Sequence, residues 1–317
     1  MSISFASSYH PIENVSRWLK GNHHGHSIRS DGADTPEANI SAYEAAGYDY
    51  FALSEHDVYV DPQDYQPSTK MIMLPAVEIT TDRGQTLMFL GADGPTPAAN
   101  TLTLPQVVRY VNERNGLFIA DHPNWVYKPF TKHAPVEELL AASEIGAIEI
   151  YTGTIERFEG DPSSVDVWDW MLTKGRVVYG HATDDQHSPV DRFLGWNRVQ
   201  LREGEEATAK TIIEALRMGR FYASTGVTID EIGTSTNGTE IIVESNAEEL
   251  KWIVKGGMVA DITKGGSGRL SIHDIVEKDR IAHPWKRFQE AKDVMYVRVE
   301  AIGPRGTKAW SQPFFIA

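Results

Sequence analysis

The chain reads as an α/β protein: a closed barrel of about seven strand–helix units, followed by a small antiparallel β-domain. Three observations predict this. Short apolar runs of strand length alternate with segments of helical spacing over about the first 225 residues, which argues for a parallel sheet. Histidines and carboxylates recur just after the C-terminal ends of those strands, the face that carries chemistry in barrels. After about Thr225 the character changes to strand-like runs between Gly-rich turns such as Lys264-Gly265-Gly266-Ser267-Gly268. The expected boundaries are 1–226 for the barrel and 227–317 for the β-domain.

Taken in order, residues 22–28 are expected as a first strand, with His24 and His26 on one side of it. Asp34-Thr35-Pro36-Glu37 looks like a helix start, with a capping residue before proline, and Gly47 ends that helix. The aromatic-rich run 48–54 is the next strand, and His56 falls just past it. Glu78 follows an apolar run beginning at Met71, and 86–90 is a further short strand. Leu104, Val107, Val108 and Val111 give 104–115 a helical period that stops at Gly116. A strand at 117–120 leads into Asp121-His122-Pro123. Helix 135–143, strand 147–150 with Glu149, helix 165–173 and strand 176–179 follow, then Asp184-Asp185-Gln186-His187. Strand 199–201 and helix 208–218 complete the series. Trp168 and Trp170 are expected to pack in the core from their helix, and Trp125 and Tyr127 to wall a pocket.

The 317 residues suffice for one large domain or a large and a small one, and 41% hydrophobic with 23% charged residues is ordinary globular composition. A net charge of −14 argues against a nucleic-acid surface or a polybasic membrane anchor. There is no cysteine, which excludes disulfides and thiolate ligands, so any metal is held by His, Asp and Glu and suits Zn, Mn or Fe. No basic segment followed by an apolar run opens the chain, and no window reaches the roughly 20 apolar residues of a membrane span. A cytoplasmic location is the expectation; the sequence leaves oligomeric state open.

The candidates for chemistry are His24, His26, Asp31, His56, Glu78, His122, Asp185 and His187: five histidines and three carboxylates, enough for two or three divalent metal ions. Such a set suits hydrolysis, because a metal lowers the pKa of bound water to give hydroxide near neutrality, and a neighbouring metal steadies the substrate and leaving oxygens. Glu78 is the choice for a carboxylate bridging two cations. Asp184 rivals Asp185, and the Asp-x-His spacing to His187 favours the latter.

These residues carry a resemblance. His24-x-His26, Ser30-Asp31-Gly32, Glu55-His56-Asp57, Pro75-x-x-Glu78, Asp121-His122-Pro123 and Asp185-x-His187 resemble, in order, the motifs of the PHP (polymerase and histidinol phosphatase) superfamily. Tyr43-x-x-Ala46-Gly47-Tyr48-Asp49, the run 219–226 and the tail Ala309-Trp310-Ser311-Gln312-Pro313 look more like its carbaryl-hydrolase-related branch. The resemblance implies a distorted (β/α)7 TIM-like barrel and a trinuclear site. It implies that His24, His26, Glu78 and Asp185 hold one metal, that Asp31, His56 and His187 hold another, and that Glu78 and His122 contribute to a third. Many relatives carry a further His after the Glu motif; this chain has Gln85-Thr86-Leu87-Met88, so the site is dinuclear or filled by Glu149 or water.

The remaining candidates divide two ways. Asp57 is expected to partner a ligating His, and Glu149 and His181 to stand behind the ligands or act as buried structural groups. Arg192 either binds a substrate anion or makes a salt bridge. His23 should point away from the site; His10, His133, His273 and His283 lack ligand spacing. The implied function is a metal-dependent phosphoesterase acting on a small phosphorylated molecule. The alternatives are a carboxylic-ester or carbamate hydrolase at the same site, and a non-catalytic metal-binding or interaction protein.

Overall fold

The computed structural model describes residues 4–10, 12, 16–128, 131–142, 144–158, 160–282 and 290–317. Its centre is a mixed sheet. The strands are β1 (Ser16–Asn22), β2 (Tyr50–Leu53), β3 (Ile72–Thr80), β4 (Thr86–Leu90), β5 (Leu117–Ala120), β6 (Ala147–Thr152), β7 (Tyr179–Thr183), β8 (Trp196–Arg202) and β9 (Phe221–Ser224). They lie in the order β9-β8-β1-β2-β3-β4-β5-β6-β7. The pairs β1–β2, β2–β3, β5–β6 and β6–β7 are parallel. β4 is antiparallel to both neighbours, and β8 is antiparallel to β1 and β9. An all-parallel sheet was expected; the short connection between β3 and β4 is too brief for a crossover, so it folds back as a hairpin.

Helices α1 (Pro36–Ala45), α2 (Leu104–Glu113), α3 (Val136–Ala141), α4 (Val165–Thr173) and α5 (Ala209–Arg217) separate the strands. Thr35 caps α1 by accepting from the Ala38 amide, with Pro36 at its first position. In α2 the buried residues are Leu104, Val107, Val108 and Val111, the period the sequence shows. Trp168 is fully buried and donates from Nε1 to the Val178 carbonyl at 2.8 Å, but Trp170 is exposed. Two positions separated by about 200° around a helix cannot share one face, so the expectation of core packing fails for Trp170.

The continuous ladder stops at β7. Its inner edge is covered instead by two buried side-chain amides, each making both bonds of a missing strand. Asn197 accepts from the Ala182 amide at 3.1 Å and donates to the Ala182 carbonyl at 2.8 Å. Gln312 does the same for Gly180 at 2.9 and 2.8 Å. At the other end of the order, β1 stops at Asn22, not at residue 28. Asn22 Oδ1 takes the His24 amide at 2.9 Å and Nδ2 donates to the Gly195 carbonyl at 3.1 Å. His24 and His26 therefore lie in extended chain beyond the strand, where Gly25 forms one parallel bridge to Gln186.

Past β9 come β10 (Ile229–Thr234), β11 (Glu240–Ser245), β12 (Glu249–Val254), β13 (Met258–Lys264), β14 (Ser267–Ser271), α6 (Ile272–Ala282), β15 (Tyr296–Ile302), β16 (Lys308–Ser311) and β17 (Phe314–Ile316). β10, β11 and β14 form a separate antiparallel sheet. β16 pairs with β9, so the remaining tail strands extend the central sheet. The tail has its own core around Trp252, Val243, Leu250 and Phe314, and Phe5, Tyr9 and Tyr222 pack into it from the other side of residue 226. Buried Arg298 of β15 forms a two-point ion pair with Asp169 of α4, at 2.8 Å from Nε and 2.6 Å from Nη2. Among the described residues no helix is long and apolar enough to cross a membrane.

Replacing Asn197 with Leu leaves the amide and carbonyl of Ala182 buried without partners. Each stranded group costs about 1–3 kcal/mol, so urea unfolding of this variant should show a loss of at least about 2 kcal/mol, whereas replacement of an exposed residue such as Arg109 should change little.

Candidate metal centre

Extended chain alternates its side chains, so His24 and His26 fall on the same side of the segment after β1. There they meet Glu78 from β3 and Asp185 from the turn after β7. His24 Nε2 stands 3.1 Å from Glu78 Oε2 and 3.1 Å from Asp185 Oδ1. His26 Nε2 stands 3.1 and 3.2 Å from the same two oxygens. All four side chains are buried, and their ligand atoms form one cluster suited to a metal ion. His26 Nε2, Glu78 Oε1 and Asp185 Oδ1 have no hydrogen-bond partner among the described residues.

Electrostatics describe the same cradle. Burial opposes the charged form of His26, yet the Asp185 and Glu78 carboxylates outweigh it and push the imidazole up to about 10. His24 is likewise raised against its burial, by Glu149, Asp185 and Glu78. Burial would raise Glu78 and Asp185, but the surrounding histidines hold both well below the usual carboxylate range. The cluster demands positive charge, which protons or a metal cation can supply.

A second cluster opens toward solvent. Asp31 lies 3.3 Å from His187 Nε2, 3.6 Å from His56 Nε2 and 3.8 Å from His26 Nδ1. Its side chain is 55% exposed, so this group forms the outer edge of the centre. The His187 hydrogen bond and charge keep Asp31 at about 2 despite partial burial. His26 borders both clusters, but a neutral imidazole has one lone pair, and its shorter distances place it with Glu78 and Asp185. His122 approaches from a third side, with Nε2 3.5 Å from Glu78 Oε1 and 3.9 Å from Asp185 Oδ2. The eight candidates are thus brought together, with Glu78 facing His24, His26, His56 and His122.

The residues behind them are less as expected. Glu149 takes His24 Nδ1 at 2.7 Å, the Thr183 hydroxyl at 2.7 Å, the Thr152 hydroxyl at 2.8 Å and the His122 amide at 2.9 Å. It holds the proton on His24 Nδ1 and turns Nε2 toward the cluster. Asp57 does not touch a histidine: its carboxylate accepts from the Thr80 amide at 2.8 Å and hydroxyl at 2.6 Å, fixing the end of β3. His181 is buried against His23, with ring centroids 5.1 Å apart, and neither ring has a hydrogen-bond partner among the described residues. Burial lowers both, His23 to about 4. Arg192 is committed to Asp34 and to Asn39 Oδ1, the latter at 2.7 Å, the salt-bridge branch of its expectation. Asp184 accepts from the amides of Phe193, Leu194 and Gly195 and the Tyr43 hydroxyl, all at 2.6–2.8 Å, which leaves Asp185 facing the cluster.

Three groups escaped the sequence reading. Glu55 is fully buried and grips the Asp31 loop through the Ser27 amide and hydroxyl and the Ser30 hydroxyl. Gly32 lets that loop close, since a Cβ there would sit 2.5 Å from the His26 carbonyl. Asp121 is buried with both oxygens unpartnered among the described residues, and with His24 and Glu149 it forms another group able to hold a cation. Burial and then Glu149 raise its pKa well above the carboxylate range. His133 lies edge-on to His122 at 4.5 Å, although its spacing gave no sign of this. Where the resemblance led to an expected histidine, the Thr86 hydroxyl lies 3.5 Å from His122 Nε2, Gln85 turns to the His133 carbonyl, and Met88 is in the core. His10 is buried between Arg202 and Arg220, His273 is exposed, and His283 and the Tyr127 side chain lie outside the described residues. Three residues at the centre, Asp57, His122 and Asp185, have positive φ (54°, 27° and 51°), a strain that concentrates at functional sites.

No family model matches the chain, and no curated protein matches it. Solved structures do. A two-domain protein of Bacteroides vulgatus containing a predicted PHP-like metal-dependent phosphoesterase aligns over 97% of this chain and 99% of its own, at 15% identity and a TM-score of 0.54. An amidohydrolase from Chromobacterium violaceum, solved with sulfate and without metal, aligns over 53% of this chain and 88% of its own, at 15% identity and a TM-score of 0.39. The first likeness shows a shared fold across nearly the whole chain; the second superposes too loosely to bear on this one.

Because metal-free His24 and His26 are raised, they hold protons at neutral pH that a metal must displace. Zinc titrated into the metal-free protein at pH 7 should release about one or more protons per chain, read from the dependence of binding heat on buffer ionisation enthalpy. Binding should weaken as pH falls. Proton-neutral binding would contradict the raised histidines.

Proposed function

We propose that this protein is a metal-dependent hydrolase of the PHP type, with a phosphoesterase activity on a small phosphorylated molecule. The observation that supports it most is the buried meeting of His24 Nε2, His26 Nε2, Glu78 and Asp185 at 3.1–3.2 Å, with three of its polar atoms unpartnered among the described residues. A donor set of imidazoles and carboxylates fits Zn, Mn or Fe. His24, His26, Glu78 and Asp185 would hold one ion; Asp31, His56 and His187 a second; Glu78 and His122 would serve a third. In this reading the curled sheet is a distorted (β/α)7 barrel, joined at its seam by Asn197, Gln312 and the Gly25–Gln186 bridge.

Cations held by these residues would supply Lewis acidity, a lowered pKa for bound water and compensation of charge on the ester oxygens. The chain's own part is placement. Glu149 fixes the His24 tautomer, Glu55 sets the Asp31 loop, and Asp184 sets the loop after His187. The inner group is closed to water and the outer group faces it, so substrate enters beside Asp31, His56 and His187. The pairing of Arg157 with Asp191 and of Arg192 with Asp34 favours a second reading, a carboxylic-ester or carbamate hydrolase, since neither arginine is left for a phosphate.

The test is hydrolysis of a panel of phosphate esters beside carboxylic esters and aryl carbamates, with and without chelator. Chelator-sensitive turnover of phosphate esters is expected; turnover confined to the other esters moves the assignment to the second reading. His26→Ala, Glu78→Ala and Asp185→Ala should each lower metal content and remove activity. Wild-type metal occupancy and rate in any of them would refute that ligand.

A further inference from the structure

Trp170, the aromatic residue of α4 that the core does not take, stands where α4 meets the tail. In β12 the side chains of Leu250, Trp252 and Val254 enter the tail core, so Lys251 and Ile253 face the other way. Ile253 lies opposite Val259 of β13 and Arg298 of β15, and Lys251 lies opposite Ile262 and Glu300. The register skips Ala260 between these pairs, and this bulge brings Val259 and Ile262 onto one face. Both are exposed. The turn Lys255–Gly257 then leans on α4. The Gly256 amide donates to Thr173 Oγ1 at 2.8 Å, and Gly257, at φ 69°, approaches so closely that a Cβ would lie 2.8 Å from Asp169 Oδ2.

A cavity of about 480 Å³ remains between this sheet face and α4. Trp170, Val165, Ile253 and Val259 give it apolar walls, and Arg298 and Lys251 give it donors. Apolar walls with a few convergent polar groups, in a volume of this order, are the form of a small-molecule site. The cavity shares no lining residue with the histidine–carboxylate centre.

The charges around it do not cancel. Asp169 is taken by Arg298 and by the Tyr296 hydroxyl at 2.9 Å, Glu300 by Lys308 at 2.8 Å, and Asp166 by the Asn124 amide at 2.7 Å and Lys132 at 3.9 Å. Asp169 occupies Nε and Nη2 of Arg298, while the buried Nη1 has no hydrogen-bond partner among the described residues. Glu300 Oε2, at 3.7 Å, is too far to accept from it. Lys251 stands 3.9 Å from Glu249, which is itself held by Lys264. A buried guanidinium N–H and a lysine are therefore left at one end of an apolar cavity, and an anionic group with an apolar body complements both.

We propose that this cavity is a second ligand site, which takes a small carboxylic acid with a flat apolar body. The carboxylate lies between Arg298 Nη1 and Lys251, and the body lies against Trp170, Ile253 and Val259. The site is separate from the metal centre and does not rest on the hydrolase reading.

The test is calorimetric titration of benzoate, with benzamide as its uncharged counterpart, into metal-loaded wild type, Trp170→Ala, Lys251→Gln and His26→Ala. Trp170 and Lys251 are partly exposed, so their replacement spares the core, whereas removing Arg298 would strand buried Asp169. One benzoate per chain should bind saturably to wild type, and benzamide should bind at least about ten-fold more weakly, the range of one lost charge-assisted hydrogen bond. Lys251→Gln should weaken benzoate by about the same factor, and Trp170→Ala by about three- to ten-fold, the range of one aromatic contact. His26→Ala should leave benzoate binding unchanged. Absence of saturable binding at millimolar benzoate, or equal binding to wild type, Trp170→Ala and Lys251→Gln, overturns the site. Loss of binding in His26→Ala also overturns it, because the acid then sits at the metal centre.

Discussion

The structure depends on a single electrostatic constraint: two buried carboxylates, Glu78 and Asp185, held against two buried imidazoles, His24 and His26. Burying charge without compensation is costly. Here the carboxylates can be neutralised only by protons on the imidazoles or by a cation among them. The chain brings them together from three separate segments, after β1, within β3 and after β7, so the sheet must bend far enough for its distant strands to meet.

Much of the surrounding architecture serves that meeting. Asn22 ends β1 with its own side chain and frees the next residues to project into the centre. Asn197 and Gln312 satisfy the edge of β7 where no strand reaches it, and Gln312 comes from the extreme C-terminus, which ties the tail to the site's scaffold. Asp184 spends four hydrogen bonds on the loop after it and so sets the orientation of Asp185. Burial raises Asp184 to about 6 even with those donors. The positive φ of Asp57, His122 and Asp185 shows backbone strain at the same places.

How much of this was legible followed from the range of the interaction. The positions of His56, His122 and Asp185 could be read because each comes after an expected strand, Glu78 because it closes an apolar run, and His24 and His26 because alternate residues of extended chain share one side. The direction of β4 was missed although the five residues between β3 and β4 are too few for a crossover; the apolar run itself reads the same forwards and backwards. Partner choice was also out of reach. Asp57 sits beside His56 in sequence, yet its left-handed backbone turns the carboxylate to Thr80. Arg192 follows the last motif, but Asp34 and Asn39 come to it from an element some 150 residues away. His133 reaches His122 through the connection after Pro123, which no spacing rule encodes. Glu55 stood in plain view next to His56, and only the path of the Asp31 loop gives it a role.

The central claim is that the histidine–carboxylate cluster is a cation site and not a self-paired ionic core. Equilibrium dialysis of the metal-free protein against Zn or Mn at neutral pH, with the bound metal measured per chain, tests it most directly. Two or more ions per chain, held at micromolar free metal or below, are expected from the inner and outer clusters. Less than one ion per chain at millimolar metal, with the protein folded, would contradict it.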